Sequence, residues 1–259
     1  QTPVPGKTLE LTIDGRIQHV SDSTLSARIA ETGSSSGLVI VSLPQTGEIL
    51  ALSLWPNYNP NTFARTDAPL LKNRAVQDVY EPGSTMKFVT AATALDLGIF
   101  TPDSMFNLGN GQMRLGNHVI RDTHVYGALS LRDVVAKSSN VGTAKIAGTF
   151  AAEEMWRMFD DIGFGQPLRL GFPGEVGGRL RPFKTWRPIE QATMSYGHGI
   201  SVTLMQLARA YLAFARDGDL IPLSLTRQES APIAGKSIFS AQTARQVRAM
   251  LELAVLPGG

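Results

Sequence analysis

The run Glu81-Pro82-Gly83-Ser84-Thr85-Met86-Lys87 sets a hydroxyl and an amine three residues apart where a helix should begin. Pro82 and Gly83 end any preceding element, and Phe88, Val89, Ala91, Ala92, Ala94 and Leu95 carry helix-compatible apolar character as far as a stop at Gly98. Side chains at i and i+3 are neighbours on a helix, so Ser84 and Lys87 should share one face. A lysine held in a half-buried cleft loses the stability of its charged form and can accept a serine proton near neutral pH. The positive end of the helix dipole favours an oxyanion forming there. S-x-x-K alone is weak evidence, since such a tetrapeptide arises about once by chance in a chain of this length.

A second polar cluster strengthens it. Ala136-Lys137-Ser138-Ser139-Asn140-Val141-Gly142 lies between two apolar stretches. Ser130-Leu131-Arg132-Asp133 reads as a capping box opening a short helix through Lys137, and residues 141–147 read as the next helix. Ser138 and Asn140 then fall on the turn between them, where Ser and Asn by default bond local backbone.

S-x-x-K followed by S-x-N resembles the penicillin-recognising serine transferases and hydrolases. The stretches Pro56-Asn57-Tyr58-Asn59-Pro60-Asn61, Asn73-Arg74-Ala75, the Ser84 and Ser138 runs, Gly171-Phe172-Pro173-Gly174-Glu175 and Ser195-Tyr196-Gly197-His198-Gly199-Ile200 resemble, in order, the transpeptidase domain of a class B penicillin-binding protein. The division-type, FtsI-like branch fits best, and the resemblance runs from Gly6 to Gly259. Two departures stand out. The family's third motif, K-[ST]-G on an inner strand, is absent from these residues: Lys184-Thr185 continues into Trp186, and Lys236-Ser237 into Ile238. The chain therefore reads as one transpeptidase domain, residues 1–259, stopping short of that segment and lacking the family's membrane anchor and pedestal domain. Phe88 stands where the family commonly has proline, which should alter helix packing more than chemistry.

Composition agrees without naming a function. The chain has 259 residues, 43% hydrophobic and 18% charged, enough for a sizeable core. A net charge of +2 is too small and too evenly spread to argue for nucleic acid. The absence of cysteine removes disulfides, thiol catalysis and thiolate zinc. No apolar run of membrane-spanning length occurs.

Residues 9–13 alternate like a strand, 18–30 read as a helix, and 38–43 with 48–54 form a hairpin around Pro44-Gln45-Thr46-Gly47. Gly33-Ser34-Ser35-Ser36-Gly37 matches the hydrolase elbow pattern but precedes a strand, the wrong context for it. Helices are expected at 202–214 and 241–253. Strands first and helices afterwards argue α+β, here a penicillin-binding-protein/β-lactamase-like fold with an antiparallel sheet packed by helices and an all-helical lobe, incomplete at the C-terminus. Of the four histidines, His19, His118 and His124 occur singly, and no pair has metal-ligand spacing. His198 lies among glycines in a stretch that borders the substrate cleft in the family, so Tyr196 and His198, with Glu81, are expected to line it.

The resemblance implies a serine D,D-transpeptidase with no cofactor. Ser84 would attack the penultimate D-alanine carbonyl of a stem pentapeptide and Lys87 would take its proton. Ser138 would relay a proton to the leaving amine, and Asn140 would bond the substrate amide and keep Lys87 oriented. The implied partners are D-Ala-D-Ala stem peptides and β-lactams, with a SEDS-family glycan polymerase and other divisome proteins reached through regions outside these residues. The implied place is the cytoplasmic membrane, with the catalytic domain on the periplasmic side. A class A β-lactamase would need a deacylating glutamate, and Glu153 and Glu154 lead into Met155-Trp156 instead of E-x-x-L-N. A non-catalytic β-lactam sensor is the binding alternative.

Overall fold

The computed structural model describes residues 6–227 and 234–258. Helix α1 (Gly15–Thr32) opens at Asp14, whose carboxylate accepts from the Arg16 and Ile17 N–H groups. It packs on an antiparallel hairpin of β1 (Gly37–Ser42) and β2 (Ile49–Trp55), within a residue or so of the expected limits. Strand β2 alternates as a half-buried strand should: Ile49, Ala51 and Ser53 are buried, and the residues between them are half-buried. Its outer edge is closed by side chain and loop. Gln18 donates to Leu52 O at 3.1 Å and accepts the Leu52 N–H at 2.8 Å, while the Asp14 N–H bonds Leu50 O at 2.9 Å. The strand expected at 9–13 is reduced to a single bridge, Leu11 with Thr226. Leu9 and Leu11 remain exposed, so their alternation has no apolar surface to bury. The Gly33–Gly37 run joins the end of α1 to β1, helix before strand, the reverse of a nucleophile elbow.

A short helix α2 (Arg74–Gln77) leads to α3 (Lys87–Asp96), in which every residue from Lys87 through Leu95 is buried. Four short strands follow, β3 (Met105–Gly109), β4 (Gln112–Leu115), β5 (His118–Arg121) and β6 (Gly127–Ser130), paired as β3 with β6 around β4 with β5. The helical lobe thus also carries two nested antiparallel pairs, which sequence reading missed. Strands this short show too few turns of alternation to register. Helices α4 (Leu131–Ala136), α5 (Asn140–Ala147), α6 (Ala152–Asp161) and α7 (Pro188–Met194) come next, then α8 (Leu204–Ala215). The two-residue pair β7 (Asp219–Leu220) and β8 (Lys236–Ser237) precedes α9 (Ala241–Leu253).

Helix α3 is the axis of the larger core, contacting α4, α5, α6 and α9. Phe88 is its apolar anchor, with its ring centroid 4.3 Å from Tyr211 and 4.9 Å from Phe214, both on α8. Phe88 therefore acts through packing. A smaller core joins β2, α2 and α8 through Ile49, Val76, Met205 and Leu212. No helix among the described residues is long and apolar enough to cross a membrane.

Candidate active site

Ser84 occupies a 3-10 turn, Gly83–Met86, that runs directly into α3. Sequence reading put Ser84 and Lys87 on one α-helical face. In the tighter 3-10 turn side chains at i and i+3 eclipse, which stacks them more directly. The turn is pinned from several sides: the Lys87 N–H bonds Ser84 O, Thr85 Oγ1 bonds Pro82 O at 2.6 Å, and Tyr211 OH reaches Thr85 O at 3.3 Å. Met86 beneath it is fully buried while Ser84 stays exposed. Buried neighbours hold an accessible hydroxyl.

Lys87 is 2% exposed. Its Nζ donates to Ser138 Oγ at 2.9 Å and to the Ser138 carbonyl. Desolvation pushes its pKa down to about 8, against the pull of the Asp122 carboxylate, which favours the charged form. Among the described residues the Ser84 hydroxyl makes no hydrogen bond, so Lys87 rests on Ser138 rather than on the serine beside it. Asn140, expected to help orient the lysine, donates from its Nδ2 to Arg121 O at 3.0 Å. That arrangement leaves the Asn140 side-chain oxygen open as an acceptor.

Ser138 takes a left-handed backbone, φ +56°, rare for a residue with a side chain. The reason lies in its neighbours. Ser139, 1% exposed, is the N-cap of α5, accepting the Gly142 N–H at 2.8 Å and donating to Asp122 Oδ2 at 2.7 Å. Asp122 Oδ1 also accepts the Val141 N–H at 2.9 Å. With the middle residue tied inward twice, Ser138 is left exposed and Asn140 half-buried. Asp122 was missed because nothing local marks it; Ser139 carried a signal, a serine immediately before a helix start.

Residues 196–202 run alongside the nucleophile turn. Tyr80 and Val202 exchange backbone hydrogen bonds at 3.0 Å each, and the Gly83 N–H bonds Gly197 O at 3.1 Å. Glu81 clasps this segment, its Oε1 accepting the Gly199 N–H at 2.8 Å and its Oε2 lying 3.2 Å from His198 Nδ1. The Gly199 amide first, then His198, holds the Glu81 carboxyl below the usual range. His198 is exposed beside it. Tyr196, expected at the cleft, is 7% exposed and belongs to the larger core, its ring edge-on to His198 at 5.6 Å.

Comparison with known proteins gives the family. The profile of the penicillin binding protein transpeptidase domain matches residues 37–259. The chain belongs to that family. Over all 259 residues it is 44% identical to the probable peptidoglycan D,D-transpeptidase PenA of Neisseria gonorrhoeae, covering 44% of that protein. Over 251 residues, 97% of the chain, it is 36% identical to the peptidoglycan D,D-transpeptidase FtsI of Escherichia coli, covering 42% of it. The chain thus spans less than half the length of these curated relatives. The transpeptidase domain of Burkholderia pseudomallei penicillin-binding protein 3 superposes with a TM-score of 0.89 at 44% identity, over 99% of this chain and 73% of that one. The α+β arrangement read from the sequence is that of penicillin-binding-protein transpeptidase domains.

Proposed function

We propose that the protein carrying these residues is a peptidoglycan D,D-transpeptidase acting in septal wall synthesis, with residues 1–259 contributing one catalytic domain. The observation that carries this reading is a lysine buried against the Ser138 hydroxyl one turn after an exposed serine. Ser84 Oγ attacks the penultimate D-alanine carbonyl of a stem pentapeptide, Lys87 takes its proton, and Ser138 passes a proton to the departing D-alanine amine. Asn140 accepts from the substrate amide, and the Ser84 N–H provides one oxyanion donor. An amine of a neighbouring stem resolves the ester, and a β-lactam traps it. The protein acts at the cytoplasmic membrane with this domain on the periplasmic side, alongside a SEDS-family polymerase.

The β-lactamase alternative loses its candidate bases. Glu154 bonds the Ala151 N–H at 2.8 Å, capping α6, and Glu153 pairs with Arg157 at 2.6 Å. Intact-mass measurement of the full-length protein with a penicillin tests the choice: a single adduct released slowly is expected, whereas rapid hydrolysis with no accumulating adduct would refute the transpeptidase reading.

Substitutions in the S-S-N run separate chemistry from capping. Ser139→Ala removes the N-cap and the Asp122 bond, so it should cost about 1–2 kcal/mol of stability in a urea titration. Ser138→Ala and Asn140→Ala should barely move the melting temperature yet strongly slow acylation. Unchanged acylation per folded molecule in both would remove them from the site.

A further inference from the structure

A cavity of about 680 Å³ opens at the far end of α3 from Ser84, between the loop of residues 97–104 and the start of α9. Lys87 begins α3 and Asp96 ends it, so the cavity lies one helix length, about 14 Å, from the lysine. Its floor is apolar, made by Leu95, Phe100 and Ile238. Phe100 stands edge-on to Phe106 with ring centroids 4.9 Å apart, which fixes its ring while leaving it half-buried. The rim is polar, and much of it is unused. Asp96 Oδ1 accepts the Ser240 N–H at 2.8 Å and the Thr243 hydroxyl at 3.0 Å, while Oδ2 is left open among the described residues. Gln242 and Gln246, one turn apart on α9, and the Ser237 hydroxyl make no side-chain hydrogen bond among the described residues. Pro102 and Gln246 also line an adjoining hollow of about 160 Å³ that follows α9 to Met250 and Leu253.

That lining selects its ligand by elimination. An anion is repelled by Asp96, whose charge no lysine or arginine of the cavity offsets. A wholly apolar ligand would strip water from two amides and a hydroxyl and return no hydrogen bond. A small cation would use the carboxylate alone and leave the floor uncovered. A saccharide satisfies every part. Its hydroxyls both donate and accept, as the amides, the serine and the open carboxylate oxygen require, and its C–H face lies on an apolar floor that includes an aromatic ring. We propose that this cavity is a binding site for an uncharged saccharide of at least two rings, held by Gln242 and Gln246 with Phe100 beneath it. The volume suits a small ligand. From Gln242 to Leu253 the lined face of α9 runs about 16 Å, more than a single ring covers, so the chain continues into the adjoining hollow. The site is independent of the transpeptidase reading, and its distance from Ser84 leaves acylation untouched by binding.

The test uses the full-length protein in a detergent without sugar headgroups, with cellobiose and diacetylchitobiose as probes. Saturation-transfer NMR should show magnetisation passing from the protein to at least one of the two disaccharides, strongest at the C–H protons of the face that meets Phe100. In the double variant Gln242→Leu, Gln246→Leu, which keeps side-chain size and helix propensity, affinity should fall about tenfold, the loss of two hydrogen bonds. Ser237→Ala, at an exposed position where the fold is not at risk, should weaken binding several-fold. Urea midpoints of both variants should match the wild type, as should their penicillin acylation rates. No transfer to either sugar, affinity unchanged in both variants, or stronger transfer to triglycine than to either disaccharide would overturn the assignment. Since binding is read without acylation, loss of either conclusion leaves the other standing.

Discussion

Ser84→Ala is expected to abolish penicillin acylation, and Lys87→Arg to slow it by orders of magnitude, the scale set by loss of a general base. Arginine keeps the positive charge but does not deprotonate near neutral pH, so the pair distinguishes a base from a mere cation. Burial is what makes the lysine usable. With a pKa of about 8, about a tenth of it is neutral at pH 7, whereas an ordinary lysine at 10.5 is neutral in roughly one molecule in three thousand. Acylation by the wild type should therefore climb with pH through neutrality and level off above about 8. Stability should follow the same group. Between about 8 and 10.5 the unfolded lysine binds a proton that the folded one has lost, so this residue's cost to the fold diminishes as pH rises through that window. Stopped-flow acylation rates across pH, normalised to folded protein, provide the measurement. Near-wild-type rates in Lys87→Arg, or an adduct in Ser84→Ala, would place nucleophile or base elsewhere.

Gly197→Ala should be among the most damaging substitutions outside the polar clusters. Gly197 has φ +84°, and a Cβ there would lie 2.1 Å from Gly83 O and 2.4 Å from Gly83 N. Both obstacles are backbone, so no side chain can swing away. The left-handed conformation costs about 1–3 kcal/mol, and relieving the clash costs a similar amount. The segment of residues 196–202 must then separate from the turn that presents Ser84, so acylation per folded molecule should drop as well. Gly83→Ala is the control, with φ +57° but no atom within 4 Å of its Cβ, so it should show backbone strain alone. Urea titrations and acylation rates of both variants decide it. Equal, mild effects would mean the 83–197 contact does not set the nucleophile's position.

The periodic and punctuated parts of this chain are legible in its sequence alone. Pro82-Gly83 before an apolar run marks a helix start, alternation in 38–43 and 48–54 marks a hairpin, and α9 was read at its observed limits. These follow from local rules: backbone freedom at Gly and Pro, and the repeat distance of each element. The chemical types at Ser84, Lys87, Ser138 and Asn140 were legible for the same reason, since each cluster is compact in sequence. Their partners were not. That Lys87 bonds Ser138, that Asn140 bonds Arg121, and that Ser139 turns inward to Asp122 depend on how α3, β5 and α5 converge. Burial shows the divide most clearly. Tyr196 and Lys87 both read as cleft residues, yet both are covered; for the tyrosine this means core packing, and for the lysine a pKa lowered to about 8. Sequence by itself determined which functional groups are present and the local geometry of the turns that carry them. Only the tertiary structure decided which of them meet and how dry the meeting place is, because desolvation and long-range hydrogen bonds arise from packing between segments far apart in the chain.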